Sequence, residues 1–249
     1  MERFRINLLV LCGDALRHKY FATRLIKCFP ETRVILEEKN VNYKSEFNKT
    51  EHNYFIKYVK ENEYDLNKNL IGTVKNVNEE YEQIKELTPR LLAVHGTSII
   101  KGNIIEPFPK RIINLHAGLS PYYRGSGTNM FPFYNNELEY VGMTVHFLDK
   151  GIDSGDIILH GRPVFEENDN THTIGCKNVI LGTDLMIKVI RKYIDEGSVP
   201  SKKQSLEVGK LYLKKDFTEI VSKQIEKNIE DGIVKQYIKN QKYVNIIEW

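Results

Sequence analysis

Asn114 and His116 stand two residues apart at the end of an apolar run, and Asp153 follows between two glycines, Gly151 and Gly155. In an extended chain, residues two apart put their side chains on one face, so Asn114 and His116 can converge on a single atom. A carboxamide offers N–H donors to an oxygen that is gaining negative charge. An imidazole carries protons near neutral pH. A carboxylate can orient that imidazole, directly or through a water, and favour its charged form. Together these types suit a transfer in which an oxyanion develops while a proton moves between two other atoms. Taken singly, each has a plainer reading: a satisfied structural histidine, a turn-forming asparagine, and an aspartate in a glycine-flanked turn.

Other stretches could line the same site. Gly13-Asp14-Ala15-Leu16-Arg17-His18-Lys19 follows the first apolar run. Amides at a helix start, with Arg17, His18 and Lys19 beside them, could bind a phosphate. The plain alternative is an ordinary strand-to-helix turn, and there is no Gly-Lys-Ser/Thr of a Walker loop. His95-Gly96-Thr97-Ser98 follows another run, and His95 reads equally as a pocket residue or a strand-end histidine. Residues 117–125 form a turn-rich loop that could cover a cleft. Tyr122 and Tyr123 could stack on a base or sugar, or pin that loop to the core. His146 reads as structural, and His160 and His172 carry no motif.

These positions need a scaffold. Residues 6–11 form an apolar run, interrupted by Asn7, that meets Gly13-Asp14, as a buried parallel strand does. Residues 15–29 carry Leu16, Tyr20, Leu25, Ile26 and Phe29 at helical spacing and stop at Pro30. Residues 33–36, 90–94 and 111–115 predict further buried strands. Residues 45–64, with a stripe of Phe47, Tyr54, Phe55, Tyr58 and Val59, predict a helix, as do residues 78–87 before Pro89. The alternation predicts an α/β fold with a Rossmann-like, doubly wound, mainly parallel sheet. In such sheets ligands bind at the carboxyl ends of strands, where Asn114, His116, His95 and Gly13 fall. Residues 141–148 and 156–164 are strand-like and joined by the Asp153 loop. Residues 171–196 predict a long amphipathic helix stopped by Gly197 and Pro200.

From residue 201 the composition shifts to Lys, Glu and Asn, with a strand expected over 210–213 and a helix over 218–239. The expected division is a catalytic domain over 1–200 and a strand–helix extension over 201–249. That extension reads plainly as a solvated helix face. Its functional reading is a homodimer contact, because Leu211, Leu213, Phe217, Ile220 and Ile225 have little core of their own to join.

The chain's 249 residues suit this plan and at most two domains. A net charge of +3 gives no reason to expect non-specific nucleic-acid binding. The three cysteines Cys12, Cys28 and Cys176 include no Cys-x-x-Cys, which argues against a disulfide scaffold or structural zinc and for a reducing, cytoplasmic compartment. The apolar run at 6–12 is too short for a membrane span, so no membrane partner is expected.

Asn-x-His at 114–116, Pro121-Tyr122-Tyr123-Arg124-Gly125, and Gly151-Ile152-Asp153-Ser154-Gly155, in this order and spacing, resemble the folate-dependent formyltransferase family. The resemblance is strong from Ile112 to about Leu159 and architectural elsewhere. It implies that N10-formyltetrahydrofolate is the formyl donor, that Asn114, His116 and Asp153 are catalytic, and that no metal takes part, since the donor carries the transferred carbon. It places the pterin at His95, Gly96 and Thr97 and at the loop of Asp149, Gly151, Ser154 and Asp156, largely on backbone groups. Within the family the loop at 120–125 is most similar to that of nucleotide-sugar N-formyltransferases, although Leu119-Ser120-Pro121 departs from a more usual Leu-Leu-Pro. The acceptor so implied is a nucleotide-linked amino sugar of surface polysaccharide (O-antigen) biosynthesis. A dTDP-4-amino-4,6-dideoxyglucose or its 3-amino isomer is expected. Gly13, Asp14, Arg17, His18 and Lys19 would then face the pyrophosphate, and Tyr122, Tyr123 and Arg124 the sugar or base.

Rival acceptors within the family are glycinamide ribonucleotide, methionyl-tRNA and water. Cys12-Gly13-Asp14-Ala15 is a poor match to the first enzyme's glycine-rich loop. Residues 201–249 are too few for a tRNA-binding domain. A catalytically idle binding protein is the rival outside the class, and retention of Asn114, His116 and Asp153 argues against it.

Overall fold

The computed structural model describes residues 6–39 and 46–249, with residues 46–48 described in their backbone only. The first half of the chain alternates as β1 (Ile6–Gly13), α1 (Leu16–Cys28), β2 (Arg33–Glu37), α2 (Glu46–Glu61), α3 (Glu63–Asn69) and β3 (Leu70–Val74). It continues through α4 (Tyr81–Glu86), β4 (Pro89–His95), α5 (Gly102–Ile105) and β5 (Ile112–His116). There follow β6 (Tyr123–Gly125), α6 (Phe131–Tyr134), β7 (Met143–Phe147), β8 (Ile157–Gly161) and α7 (Thr171–Glu196). The extension holds β9 (Lys210–Tyr212), α8 (Glu219–Glu230) and α9 (Ile233–Lys239).

Seven strands form one sheet in the order β3-β2-β1-β4-β5-β7-β8. β1 to β5 run parallel, and β7 and β8 are antiparallel to their neighbours. β1 is apolar from Leu8 to Cys12 because both its faces are covered there. Leu8, Val10 and Cys12 join the layer that holds Phe21 of α1, and Leu9 and Leu11 join the layer that holds Ile84 of α4. The strand order reverses between β1 and β4, which leaves a crevice at their carboxyl ends.

The predicted helix over 171–196 appears with these bounds. Asn170 caps it by accepting from the amides of His172 and Thr173, and Gly197 ends it at φ +77°. Elsewhere the chain breaks where periodicity had run on. The helix expected over 45–64 ends at Glu61, and α3 starts beyond Asn62. Its expected start at Ser45 and the side chain of Phe47 lie outside the described residues. The single helix expected over 218–239 is two helices, because Gly232 takes φ +82° between them. The strands β3 and β6 were not expected.

The extension was expected to have little core to join. Instead Val221, Ile225, Ile233 and Val234 are buried with Phe131, Phe133, Phe165 and Ile174 of the main body. Leu211, Leu213, Phe217 and Ile220 stay exposed. β9 pairs in parallel with β6. Further along, Ile247 exchanges hydrogen bonds with His160, and Trp249 Nε1 donates to Ile158 O at 2.9 Å, which covers the open edge of β8. Among the described residues, no helix is long and apolar enough to cross a membrane.

Candidate active site

Strand alternation sends Ile113 and Leu115 of β5 into the core and turns Asn114 and His116 to the other face. β7 lies antiparallel beside β5 and sets His146 directly opposite Asn114. The loop between β7 and β8 returns Asp153 to the same point. Its bend is tight. Asp153 has φ +47°, and a Cβ at Gly155 would lie 1.8 Å from Phe147 O. Asp149 Oδ1 accepts from Gly151 N at 3.0 Å and from Ser154 Oγ at 2.7 Å, which ties the loop's first half.

Asp153 is the hub of the cluster. Its Oδ2 lies 3.2 Å from His116 Nδ1 and accepts from Gly125 N at 2.9 Å. Its Oδ1 lies 3.5 Å from His146 Nε2 and 3.4 Å from Asn114 Nδ2. Burial alone would raise its carboxyl pKa, but His116, His146 and the Gly125 amide hold it well below the usual range. His146 is fully buried, and its Nδ1 lies 2.8 Å from Phe147 O. A hydrogen on Nδ1 makes Nε2 an acceptor for Asn114 Nδ2 at 3.1 Å. Because His146 Nε2 and Asp153 Oδ1 sit close together, one amide hydrogen can serve both. The second N–H of Asn114 remains to donate to a ligand.

His116 sits between two acceptors, Asp153 Oδ2 and Tyr123 O, the latter 3.0 Å from its Nε2. A neutral imidazole has one hydrogen for the two. Burial lowers its pKa and outweighs the support from Asp153, so the ring is neutral at neutral pH. When it takes a proton, both contacts become hydrogen bonds, one of them charge-assisted. The two acceptors therefore offset part of the cost of placing a proton on this buried ring.

A cavity of about 650 Å³ opens beside this cluster. Val94, Ile100, Leu115, Leu148 and Ile152 give it apolar walls, and His95 to Ser98 and Asp149 to Asp153 give it polar edges. Thr97 and Gly151 line it, whereas Ser154 is turned to Asp149 and Asp156 lies 3.8 Å from Lys110 Nζ. His95 lines it too, with its Nδ1 donating to Leu115 O at 3.0 Å, and burial lowers its pKa to about 4.

Among the residues read as an anion site, Arg17 and His18 line the cavity. His18 is a buried wedge against His95, and a Cβ at Gly13 or Gly96 would lie 2.3 or 2.1 Å from its ring. Asp14 accepts from Lys39 N at 2.8 Å, and Gly13, Asp14 and Lys19 stand outside the cavity wall. A carboxylate already meets the start of α1. The buried Glu51 accepts from Arg17 N at 2.9 Å and pairs with Arg17 Nη1 at 2.5 Å. Tyr122, Tyr123 and Arg124 also turn away from the cavity, because pairing with β9 aims them at the extension. Tyr122 packs on Tyr140, Tyr123 stacks on Tyr212, and Arg124 donates to Leu206 O at 3.2 Å.

The sequence reads His146 as structural and Leu213 as part of a dimer contact, and it points to neither Tyr212 nor Lys214; Tyr212, Leu213 and Lys214 line the cavity from the extension. His146 had a signal, since it alternates with Val145 on a strand-like run. Its meeting with Asn114 depends on an antiparallel register that no local pattern states.

A family model described as formyl transferase matches residues 66–190. The methionyl-tRNA formyltransferase of Caldanaerobacter subterraneus subsp. tengcongensis is 32% identical over 136 residues, which are 54% of this chain and 44% of that relative. The chain thus spans less than half the length of this curated relative. The 4-N formyltransferase from Francisella tularensis superposes with a TM-score of 0.62 at 16% identity, over 86% of this chain and 79% of the other. The N-formyltransferase from Helicobacter canadensis, in complex with folinic acid and dTDP-3-aminofucose, does so with a TM-score of 0.61 at 24% identity, over 93% and 82%. At these identities the superpositions establish a shared fold. With half of the chain matched by the family model, and with the strand that carries Asn114 and the loop that carries Asp153 inside that match, the chain belongs to the formyl transferase family.

Proposed function

We propose that the chain transfers a formyl group from N10-formyltetrahydrofolate to the amine of a nucleotide-linked amino sugar. The observation that carries the transfer is the meeting of Asn114, His116 and Asp153 at the wall of the cavity. The folate, when bound, supplies the formyl carbon. Asn114 donates its second N–H to the oxygen that gains charge, a contact whose loss typically costs about 10²- to 10³-fold in rate. His116 would take the proton of the attacking amine, with Asp153 and Tyr123 O holding the imidazolium, and would give it to the folate nitrogen as the bond from that nitrogen to the formyl carbon breaks, which releases tetrahydrofolate. The Gly125 amide, which donates to Asp153 Oδ2, helps keep that carboxylate ionised and in place. The polar edges at His95–Ser98 and at the Asp149 loop would receive the pterin. The core machinery lies within residues 1–200, with residues 201–249 adding one wall.

The sugar acceptor rests on the loop at 120–125 and on the fold shared with the Helicobacter canadensis enzyme and its bound dTDP-3-aminofucose. The cavity has two cations for a pyrophosphate: Arg17, held by Glu51, and Lys214, which makes no ion pair among the described residues. A second reading, methionyl-tRNA as acceptor, is favoured by curated relatives such as the 32% identical Caldanaerobacter enzyme. The test is tetrahydrofolate release with N10-formyltetrahydrofolate and each of four acceptors: dTDP-4-amino-4,6-dideoxyglucose, its 3-amino isomer, glycinamide ribonucleotide and methionyl-tRNA. Turnover with methionyl-tRNA and with no sugar would replace the acceptor and keep the chemistry. Turnover with none would remove the transferase reading. Free Cys12, Cys28 and Cys176 support a reducing compartment, the cytoplasm. The exposed Leu211, Leu213, Phe217 and Ile220 support a homodimer through the extension, checked by sedimentation at micromolar concentration.

A further inference from the structure

The segment after Ser201 enters the site from the far edge of the sheet. Lys202 bridges Ile157 at the start of β8, with its amide and carbonyl both bonded to Ile157, at 2.7 and 2.8 Å. Two residues on, Gln204 is buried, and its side-chain amide points into the Asp153 loop. Its Nε2 donates to Asp153 O at 3.0 Å and to Gly155 O at 2.5 Å. These carbonyls flank Ser154 on the half of the loop that Asp149 does not tie.

The loop needs such a tie. Asp153 holds a left-handed backbone without being glycine, a conformation that persists only where its surroundings fix it. The backbone torsions at 153 aim the carboxylate, and that carboxylate must reach His116, His146, Asn114 and Gly125 together. Gln204 fixes the carbonyl of the same residue. Its Oε1 is buried with no partner, a cost that an apolar side chain filling the space would not carry. The amide is therefore present for its donors.

We propose that Gln204 is a positioning residue for Asp153, so that the extension completes the active site. This inference rests on the reading of Asp153 as the carboxylate that supports His116. Asp153 is faced by His116, His146, Asn114 and the Gly125 amide, and Gln204 acts on it from behind through the backbone.

The test uses the full chain with Gln204→Met, which keeps the length of the side chain and loses the donors, and with Gln204→Glu, which is isosteric. Steady-state kinetics with N10-formyltetrahydrofolate and dTDP-4-amino-4,6-dideoxyglucose are measured together with an NMR titration of the His116 ring. Gln204→Met is expected to lower kcat about ten- to a hundredfold with both KM values changed less than about threefold. It should also move the His116 titration to lower pH, because the carboxylate that supports the imidazolium has drifted. Gln204→Glu should regain part of its kcat as pH falls and the new carboxyl recovers an O–H donor. A plug with only a packing role would alter thermal stability and leave the titration where it was. A folded variant of either kind with wild-type kcat and an unmoved His116 titration overturns the proposal. If the wild-type chain transfers nothing to this acceptor, the functional reading fails, and the titration alone still decides the role of Gln204.

Discussion

His116 faces two acceptors with one hydrogen, and this sets its response to pH. Burial lowers its pKa against the support of Asp153, so in the free protein it is neutral above the ordinary imidazole range. The acid limb of kcat/KM should therefore have its midpoint below 6.5. Asp153→Asn keeps the size and removes the charge. It should lower kcat by about 10²- to 10⁴-fold and move that limb lower still. A profile of kcat/KM against pH checks both, and a wild-type midpoint above 6.5 would falsify the arrangement. At this scale the sequence was informative about Asn114, His116 and Asp153, because spacing and glycine flanks are local features. It did not state that His146 meets Asn114 or that Gln204 meets Asp153, because those partners lie 32 and 51 residues away.

Among the elements, β6 and β9 bear most directly on the site. Tyr123 O and Gly125 N of β6 hold His116 and Asp153, and β9 holds β6. Gly125 has φ +93°, and a Cβ there would lie 2.0 Å from Tyr212 O. Gly125→Ala should push β9 away and lower kcat about tenfold or more, measured beside the unfolding temperature. By contrast, Asn170→Ala removes the cap of α7 and should cost about 1 kcal/mol of stability while leaving kcat and both KM values near wild type. An equal kinetic loss in both variants would mean that general loosening, and not β6, governs the rate. The buried strands and α7 were legible because a run apolar on both faces, or a cap followed by helical spacing, is written in consecutive residues. β6 is three residues long, its partner starts at Lys210, and β3 is a half-buried edge strand, so neither carries a periodicity to read.

Over the whole molecule, buried neutral histidines link stability to acid. Burial lowers His95 and His160 to about 4 from an unfolded value of 6.5. Between those values the unfolded chain holds more protons than the folded one, so stability falls as pH falls through that window and is fully present above 6.5. Asp153, whose folded pKa is depressed, adds a further loss below the histidine window. Calorimetry should find the unfolding temperature at pH 5 lower than at pH 7 by about 5 °C or more. No change over that interval would mean that the folded protein accommodates these charges. The doubly wound sheet was legible at this scale from the alternation of strands and helices. The fit of the extension was not, because Val221, Ile225, Ile233 and Val234 acquire a core only against Phe131, Phe133 and Phe165.

The bridge of Lys202 to Ile157 and the pairing of Tyr212 with Gly125 also impose an order in time. A ribosome adding about 5–20 residues per second has made every strand of the main sheet seconds before it makes Gln204 and Tyr212. During that interval the nascent chain can hold the sheet with Asn114 and His116 already in place, while the Asp153 loop lacks Gln204 and β6 lacks β9. A segment made late is therefore what completes a site made earlier, and a polypeptide stalled before residue 204 should expose the cavity yet lack turnover.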